Sequence, residues 1–270
     1  MKTGVARLSD SGELAYELHG EAHEGLPILL LRPLGGTMAL WGEFRDLLAE
    51  KLRVISFDYR GSGRSSADPT WVSTRGLARD ALGLLDHLGV RRAHAFGVSL
   101  GGMTATWLAI LEPARIAKLC IASAPARGLS LTRAGLRREL AMAACFSRRG
   151  AEVEAALVER ILSRAFRRAH PEEARRIEDL VRAEPASRVA LMKHAIAGLL
   201  HDARRQLRTI EAPTLVLAGA NDTLLGTDAP RALAEAIPRA QFEIIADAGH
   251  AVALEQPIVT ATRVLGFMLS

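Results

Sequence analysis

The chain has 270 residues, 49% hydrophobic and 24% charged, with a formal net charge of +5. That length and balance exclude a disordered or collagen-like polypeptide and fit one large α/β domain with an insertion, or two small domains. The longest apolar runs, such as Ile28-Leu29-Leu30-Leu31, are far too short to cross a bilayer, and Met1 to Arg7 leads into no apolar signal core, so a cytoplasmic protein with no membrane partner is expected.

His19 and His23 fall in an N-terminal hairpin region. Residues 28–31 read as a buried strand, followed by the loop Arg32-Pro33-Leu34-Gly35-Gly36-Thr37. Residues 40–51 place Trp41, Phe44, Leu47 and Leu48 at helical spacing. Val54-Ile55-Ser56-Phe57 is a second strand, ending in a glycine-punctuated turn from Asp58 to Ser65. Ser73 or Thr74 caps a helix running to Leu88, with Leu77, Ala81, Leu84, Leu85 and Leu88 on one face and Gly89 as its stop. Residues 93–96 form a strand feeding Gly97-Val98-Ser99-Leu100-Gly101, and residues 119–122 form another. Strands alternating with helices imply a mostly parallel sheet covered on both faces.

The alternation then stops. Residues 133–147, 151–169, 171–183 and 185–201 show helical patterns with almost no strand signal, and Pro171 followed by Glu172 and Glu173 is a good helix start. Val153, Leu157 and Ile161 make one apolar stripe; Val189, Met192, Ile196 and Leu199 make another. The βα rhythm resumes with a strand at 214–218, a helix at 229–237, a strand at 241–245 and a helix at 258–269. The expected architecture is a core of residues 1–124 and 209–270, with a helical cap, 125–208, inserted after the sixth strand.

Cys120 and Cys145 read as buried reduced thiols, and no zinc-ligand spacing is present, so no metal is expected. Residues 125–208 carry 18 Lys+Arg against 10 Asp+Glu, whereas the remainder carries 17 against 20. That basic excess is either a set of solvated arginine faces or a field drawing anionic ligands. With 4% aromatics and no recognition motif, nucleic acid is not an expected partner.

Gly-x-Ser-x-Gly between a strand and a helix is the nucleophile-elbow pattern: a sharp turn holds the serine hydroxyl at the top of a sheet. Serine is a poor nucleophile without a base in hydrogen-bond reach and a group orienting that base. The expected chain order is Ser, acid, His. Asp222 follows the strand ending at Ala218, and His250 follows the last strand, so Ser99, Asp222 and His250 all sit at carboxyl ends of parallel strands. Asp228 competes with Asp222 but reads better as a helix cap before Pro230. The histidines at 19, 23, 87, 94, 170, 194 and 201 are read as structural or surface positions. Backbone N–H groups of Leu100 and Leu34 are the expected oxyanion donors, since Pro33 has none.

Together these residues resemble the α/β-hydrolase superfamily over essentially the whole chain. Gly97 to Met103, Trp107-Leu108-Ala109-Ile110, Pro113-Ala114-Arg115-Ile116, Leu119 to Ala124 and Asp247 to Pro257 look most like 3-oxoadipate enol-lactonases. Arg32-Pro33 departs from that pattern, where small polar residues or His-Gly are more usual. The resemblance implies hydrolysis of a small ester or lactone through an acyl-enzyme, without cofactor, with an enol-lactone or another acidic compound among the possible substrates. Esterases, acyl-homoserine-lactone hydrolases, carbon–carbon bond hydrolases and cofactor-free haloperoxidases share the shape. An acyltransferase or haloperoxidase on the same triad, or a non-catalytic ligand receptor, are the alternatives. Arg32 either pairs with a substrate carboxylate or turns to solvent or a salt bridge. Trp41 either lines the pocket or packs its helix, and Trp71 lies in a loop facing the cap. Met142, Phe146 and Phe166 either form the pocket ceiling or hold the cap helices together. The oligomeric state is open, a homodimer included.

Overall fold

The computed structural model describes residues 1–10, 12–66, 72–130, 133–148, 152–183 and 187–270. Among them eight strands form one sheet: β1 (Lys2–Arg7), β2 (Glu13–His19), β3 (Ile28–Leu31), β4 (Val54–Phe57), β5 (Ala93–Val98), β6 (Ile116–Ala122), β7 (Thr214–Gly219) and β8 (Ala240–Ile245). Their order is β1-β2-β4-β3-β5-β6-β7-β8. β1 and β2 pair antiparallel, β2 pairs antiparallel with β4, and the rest are parallel. Ile28–Leu31 and Ala93–Val98 are buried throughout, as strands covered on both faces must be.

Helices α1 (Gly42–Ala49), α2 (Thr74–His87) and α3 (Leu100–Leu111) connect the early strands. The expected helix at 40–51 is shorter, because a 3₁₀ turn over Met38–Trp41 precedes α1. Ser73, not Thr74, caps α2: its Oγ accepts from the Gly76 N–H at 3.0 Å. Between β6 and β7 lie α4 (Arg133–Phe146), α5 (Glu152–Ile161), α6 (Arg164–Ala169), α7 (Pro171–Ala183) and α8 (Arg188–Leu199). The single helix expected over 151–169 is two, because Ser163 breaks it and caps α6 by accepting from the Phe166 N–H at 3.0 Å. Trp71, Ala151 and Pro185, the last two expected to open helices, lie outside the described residues.

The stripe expected on α8 is a correction. Val189, Met192 and Ile196 face solvent, while Ala190, Leu191, His194 and Ala197 are buried. Two alanines, Leu191 and one histidine make the inward face, so apolar periodicity selected the wrong side. The chain closes with α9 (Asp228–Ala236), α10 (Val252–Glu255) and α11 (Pro257–Leu269). Thr227, not Asp228, is the residue before α9. Two clusters fill the faces of the sheet, one around Leu29, Leu77, Leu84 and Ala105, the other around Ile28, Phe44, Phe96 and Val264. Both cysteines are free and buried. No helix among the described residues is long and apolar enough to cross a membrane.

Candidate active site

Ser99 sits between β5 and α3 with φ of 55°, a left-handed conformation that side chains rarely adopt. Crowding dictates its neighbours. A Cβ on Gly97 would stand 2.2 Å from the Gly101 carbonyl oxygen, and one on Gly101 would stand 1.8 Å from that of Leu31. Only glycine lets α3 come this close to β3. The strained turn is held by Ser99 N–H donating to Ala122 O at 2.9 Å and by Met103 N–H donating to Ser99 O at 3.0 Å. Two other non-glycine residues share the left-handed region, Ser123 just past β6 and Asp247 just past β8. Backbone strain therefore collects at the carboxyl edge of the sheet, where function is usually placed.

His250 is brought to Ser99 by the loop after β8. Its Nε2 lies 2.9 Å from Ser99 Oγ and its Nδ1 lies 2.8 Å from Asp222 Oδ2. A proton on Nδ1 donates to the carboxylate and leaves Nε2 to accept from the serine hydroxyl. The loops bearing Asp222 and His250 are tied together by Asn221 N–H donating to Ala248 O at 2.8 Å. Asp222 Oδ1 also accepts from the N–H groups of Leu224 and Leu225, both at 2.9 Å. Burial pushes the Asp222 carboxyl up, but His250 and those two N–H groups outweigh it and hold it below the usual carboxylate range. The arrangement can activate a hydroxyl for attack on a carbonyl.

Ser99 and His250 open into a pocket of about 110 Å³ also lined by Leu34, Leu100, Met103, Met142, Leu224 and Leu225. Leu100 is the first residue of α3, so its N–H has no helical acceptor, and it follows Ser99 directly. Of the expected binding residues only Met142 lines this pocket. Trp41 packs between Phe44 and Phe96, each at a ring separation of 5.8 Å, in the core. Phe166 joins Val158, Ile177 and Val181 between helices, and Phe146 packs beside Cys145 and Leu157. Arg32 is 0% exposed and stacked on the Tyr59 ring at 4.3 Å, so it neither reaches solvent nor borders the pocket.

Ser123 and His194 line the pocket without being among the expected site residues. Ser123 has a buried hydroxyl without a partner among the described residues, and so do both ring nitrogens of His194. Ser123 follows a strand end just as Ser99, Asp222 and His250 do, a signal that was available. Nothing in the sequence marks His194, which reaches the pocket only because α8 turns this face inward. Burial and the nearby Arg32 charge pull the His194 pKa down to about 3, so its ring is neutral.

Known proteins resemble this chain over most of its length. A relative from Azorhizobium caulinodans carrying the name carbamate hydrolase RutD is 32% identical over 268 residues, covering 94% of each chain. The 3-oxoadipate enol-lactonase 1 of Acinetobacter baylyi is 30% identical, covering 90% of this chain and 88% of its own. The crystal structure of a hydrolase from Pseudomonas aeruginosa superposes with a TM-score of 0.86 at 32% identity, covering 100% of this chain and 99% of that one. With the family model matched over residues 27–257, the chain belongs to the alpha/beta hydrolase fold family and is a hydrolase.

Proposed function

We propose that this hydrolase cleaves a small carboxylic ester or lactone, with Ser99 as nucleophile, His250 as general base and acid, and Asp222 as the group that orients His250. The relay of 2.9 and 2.8 Å contacts at the edge of a mainly apolar pocket carries this reading. Ser99 Oγ attacks the carbonyl carbon while its proton passes to His250 Nε2. The charge arising on imidazole is balanced by Asp222, and the oxyanion is held by the N–H groups of Leu100 and Leu34. Collapse of the tetrahedral species breaks the C–O bond, and the departing alkoxide takes the proton from His250. Water then gives a proton to His250 and attacks the acyl carbon; the bond to Ser99 Oγ breaks, Ser99 takes that proton back from His250, and the carboxylic acid leaves. Residues 125–208 act as a cap over the pocket, contributing Arg138, Met142 and His194 to its wall.

A second reading is favoured by the relatives named for carbamate hydrolysis: the same relay attacks a carbamate carbonyl. A panel of p-nitrophenyl esters, lactones and carbamates, run with wild type and Ser99→Ala, separates the two. Serine-dependent turnover of esters or lactones supports the first reading, and turnover confined to carbamates the second. Absence of turnover together with no fluorophosphonate labelling of Ser99 removes both.

A further inference from the structure

Arg32 is a buried cation that the hydrolase reading above leaves without a task. It is fully buried, and no carboxylate among the described residues forms an ion pair with it. Asp58 attracts it through space, but that carboxylate accepts instead from the Met38 N–H at 2.8 Å and the Arg64 N–H at 3.0 Å. The Arg32 Nε and Nη2 groups have no partner among the described residues. A guanidinium kept in the interior with no direct ion pair, attracted by Asp58 only through space, carries a desolvation cost.

The bond that Arg32 does make is to its own loop. Nη1 donates to the Pro33 carbonyl at 3.1 Å. Pro33 C=O and Leu34 N–H belong to one peptide unit, and in a planar trans peptide they point in opposite directions; none of the peptide bonds described is cis. Anchoring the carbonyl on the buried guanidinium therefore sends the Leu34 N–H away from Arg32, and Leu34 borders the Ser99 pocket. We propose that Arg32 is the positioning residue of the oxyanion hole: it fixes the Pro33–Leu34 peptide so that Leu34 N–H meets the developing oxyanion, and its unpaired charge strengthens that donor. The proposal rests on the Ser99 hydrolase reading. A charged donor polarises the peptide it binds, which makes the N–H at the other end a better donor. The preorganised field acts where negative charge appears in the transition state rather than on the neutral substrate.

The test compares wild type with Arg32→Met, Arg32→Lys and Ser99→Ala, using p-nitrophenyl butyrate, a trifluoromethyl ketone that forms an oxyanion on serine, and thermal unfolding. Arg32→Met should lower kcat by about tenfold to a hundredfold, less than the 10²–10³ for losing a donor outright. KM should stay within about threefold, because the interaction belongs to the transition state. Affinity for the ketone should fall in step with kcat, and Arg32→Lys should restore part of both. Tm should hold or rise, since an unpaired buried charge has been removed. A merely structural arginine would instead lower Tm and leave kcat of the folded fraction intact, and that result overturns the proposal. So does a selective loss on carboxylate-bearing esters with neutral esters spared, which would make Arg32 a substrate contact. If Arg32→Met does not fold, unchanged kcat and ketone affinity in Arg32→Lys and Arg32→Gln overturn it equally. If Ser99→Ala keeps full activity, the hydrolase reading itself has failed, an outcome distinct from the other results.

Discussion

The carboxylate of Glu255 grips Ser163 twice, accepting from its backbone N–H at 2.9 Å and from its hydroxyl at 2.6 Å. Ser163 is the cap of α6, and Glu255 ends the short helix that follows His250. Both residues are buried, so the contact fastens the helices between β6 and β7 to the segment carrying His250. Glu255→Ala leaves the Ser163 N–H buried without an acceptor and should cost about 1–3 kcal/mol, read from urea unfolding. Burial raises the Glu255 pKa despite the opposing bonds from Ser163 and Gly249. A raised acid contributes stability that is full below the unfolded value of 4.5 and fades as pH climbs through the folded value. Wild type should therefore lose stability relative to Glu255→Gln as pH rises through that range; parallel curves would refute this.

Asp222 is held below its ordinary range, so it remains a carboxylate at neutral pH. Asp222→Asn offers the imidazole an amide and favours the wrong tautomer. A fall in kcat of about 10⁴ is expected, measured on whichever ester the panel selects. A loss under tenfold would show that His250 is oriented by something else. The depressed pKa also makes Asp222 a source of stability above pH 3.8 that disappears as pH falls through its folded value.

Three buried histidines weaken the fold in acid. Burial brings His194 to about 3 and His94 and His201 to about 4, each from 6.5. The unfolded chain therefore takes up protons that the folded chain refuses as pH falls below 6.5, and each site removes up to about 1.4 kcal/mol per pH unit in that window. Stability should decline between pH 6.5 and 4. His201→Gln, which can keep a bond to Thr74 Oγ1, now 3.0 Å from the ring Nδ1, should make the decline shallower. An unchanged slope would mean that the ring is already solvated.

Glycines at two helical positions should respond in opposite directions. Gly266 in α11 is exposed, and a Cβ there meets nothing within 4 Å. Gly266→Ala should add about 0.5–1 kcal/mol through the unfolded-state entropy it removes. Gly101→Ala forces a Cβ against the Leu31 carbonyl and should cost at least about 1–3 kcal/mol, together with activity. Equal Tm values for the pair would contradict the close approach of α3 to β3.

Strand ends and turn chemistry made the core of this fold readable. Gly97 and Gly101 announce the elbow by type and spacing, and parallel strands read as continuous apolar runs at Ile28–Leu31 and Val54–Phe57. The inserted helices were harder, because amphipathic patterns alone do not say which side faces inward. Val189 and Met192 are exposed while Ala190 and His194 are not. Ser163 was hidden for a related reason: its break depends on Glu255, distant in the chain, and no local pattern carries that. Aromatic residues left two readings open, since Trp41 and Phe166 have size enough for a binding wall, and packing consumes both.

β6 and β7 lie side by side, Ala122 opposite Leu217, although residues 123–213 intervene. Closing a loop that long is only slightly more demanding than closing one half its length, about 0.6 kcal/mol per doubling. The pairing that completes the sheet is thus nearly indifferent to how much chain is spliced in at this point. A longer or shorter intervening segment would therefore cost the sheet little, and Ala122 would still find Leu217.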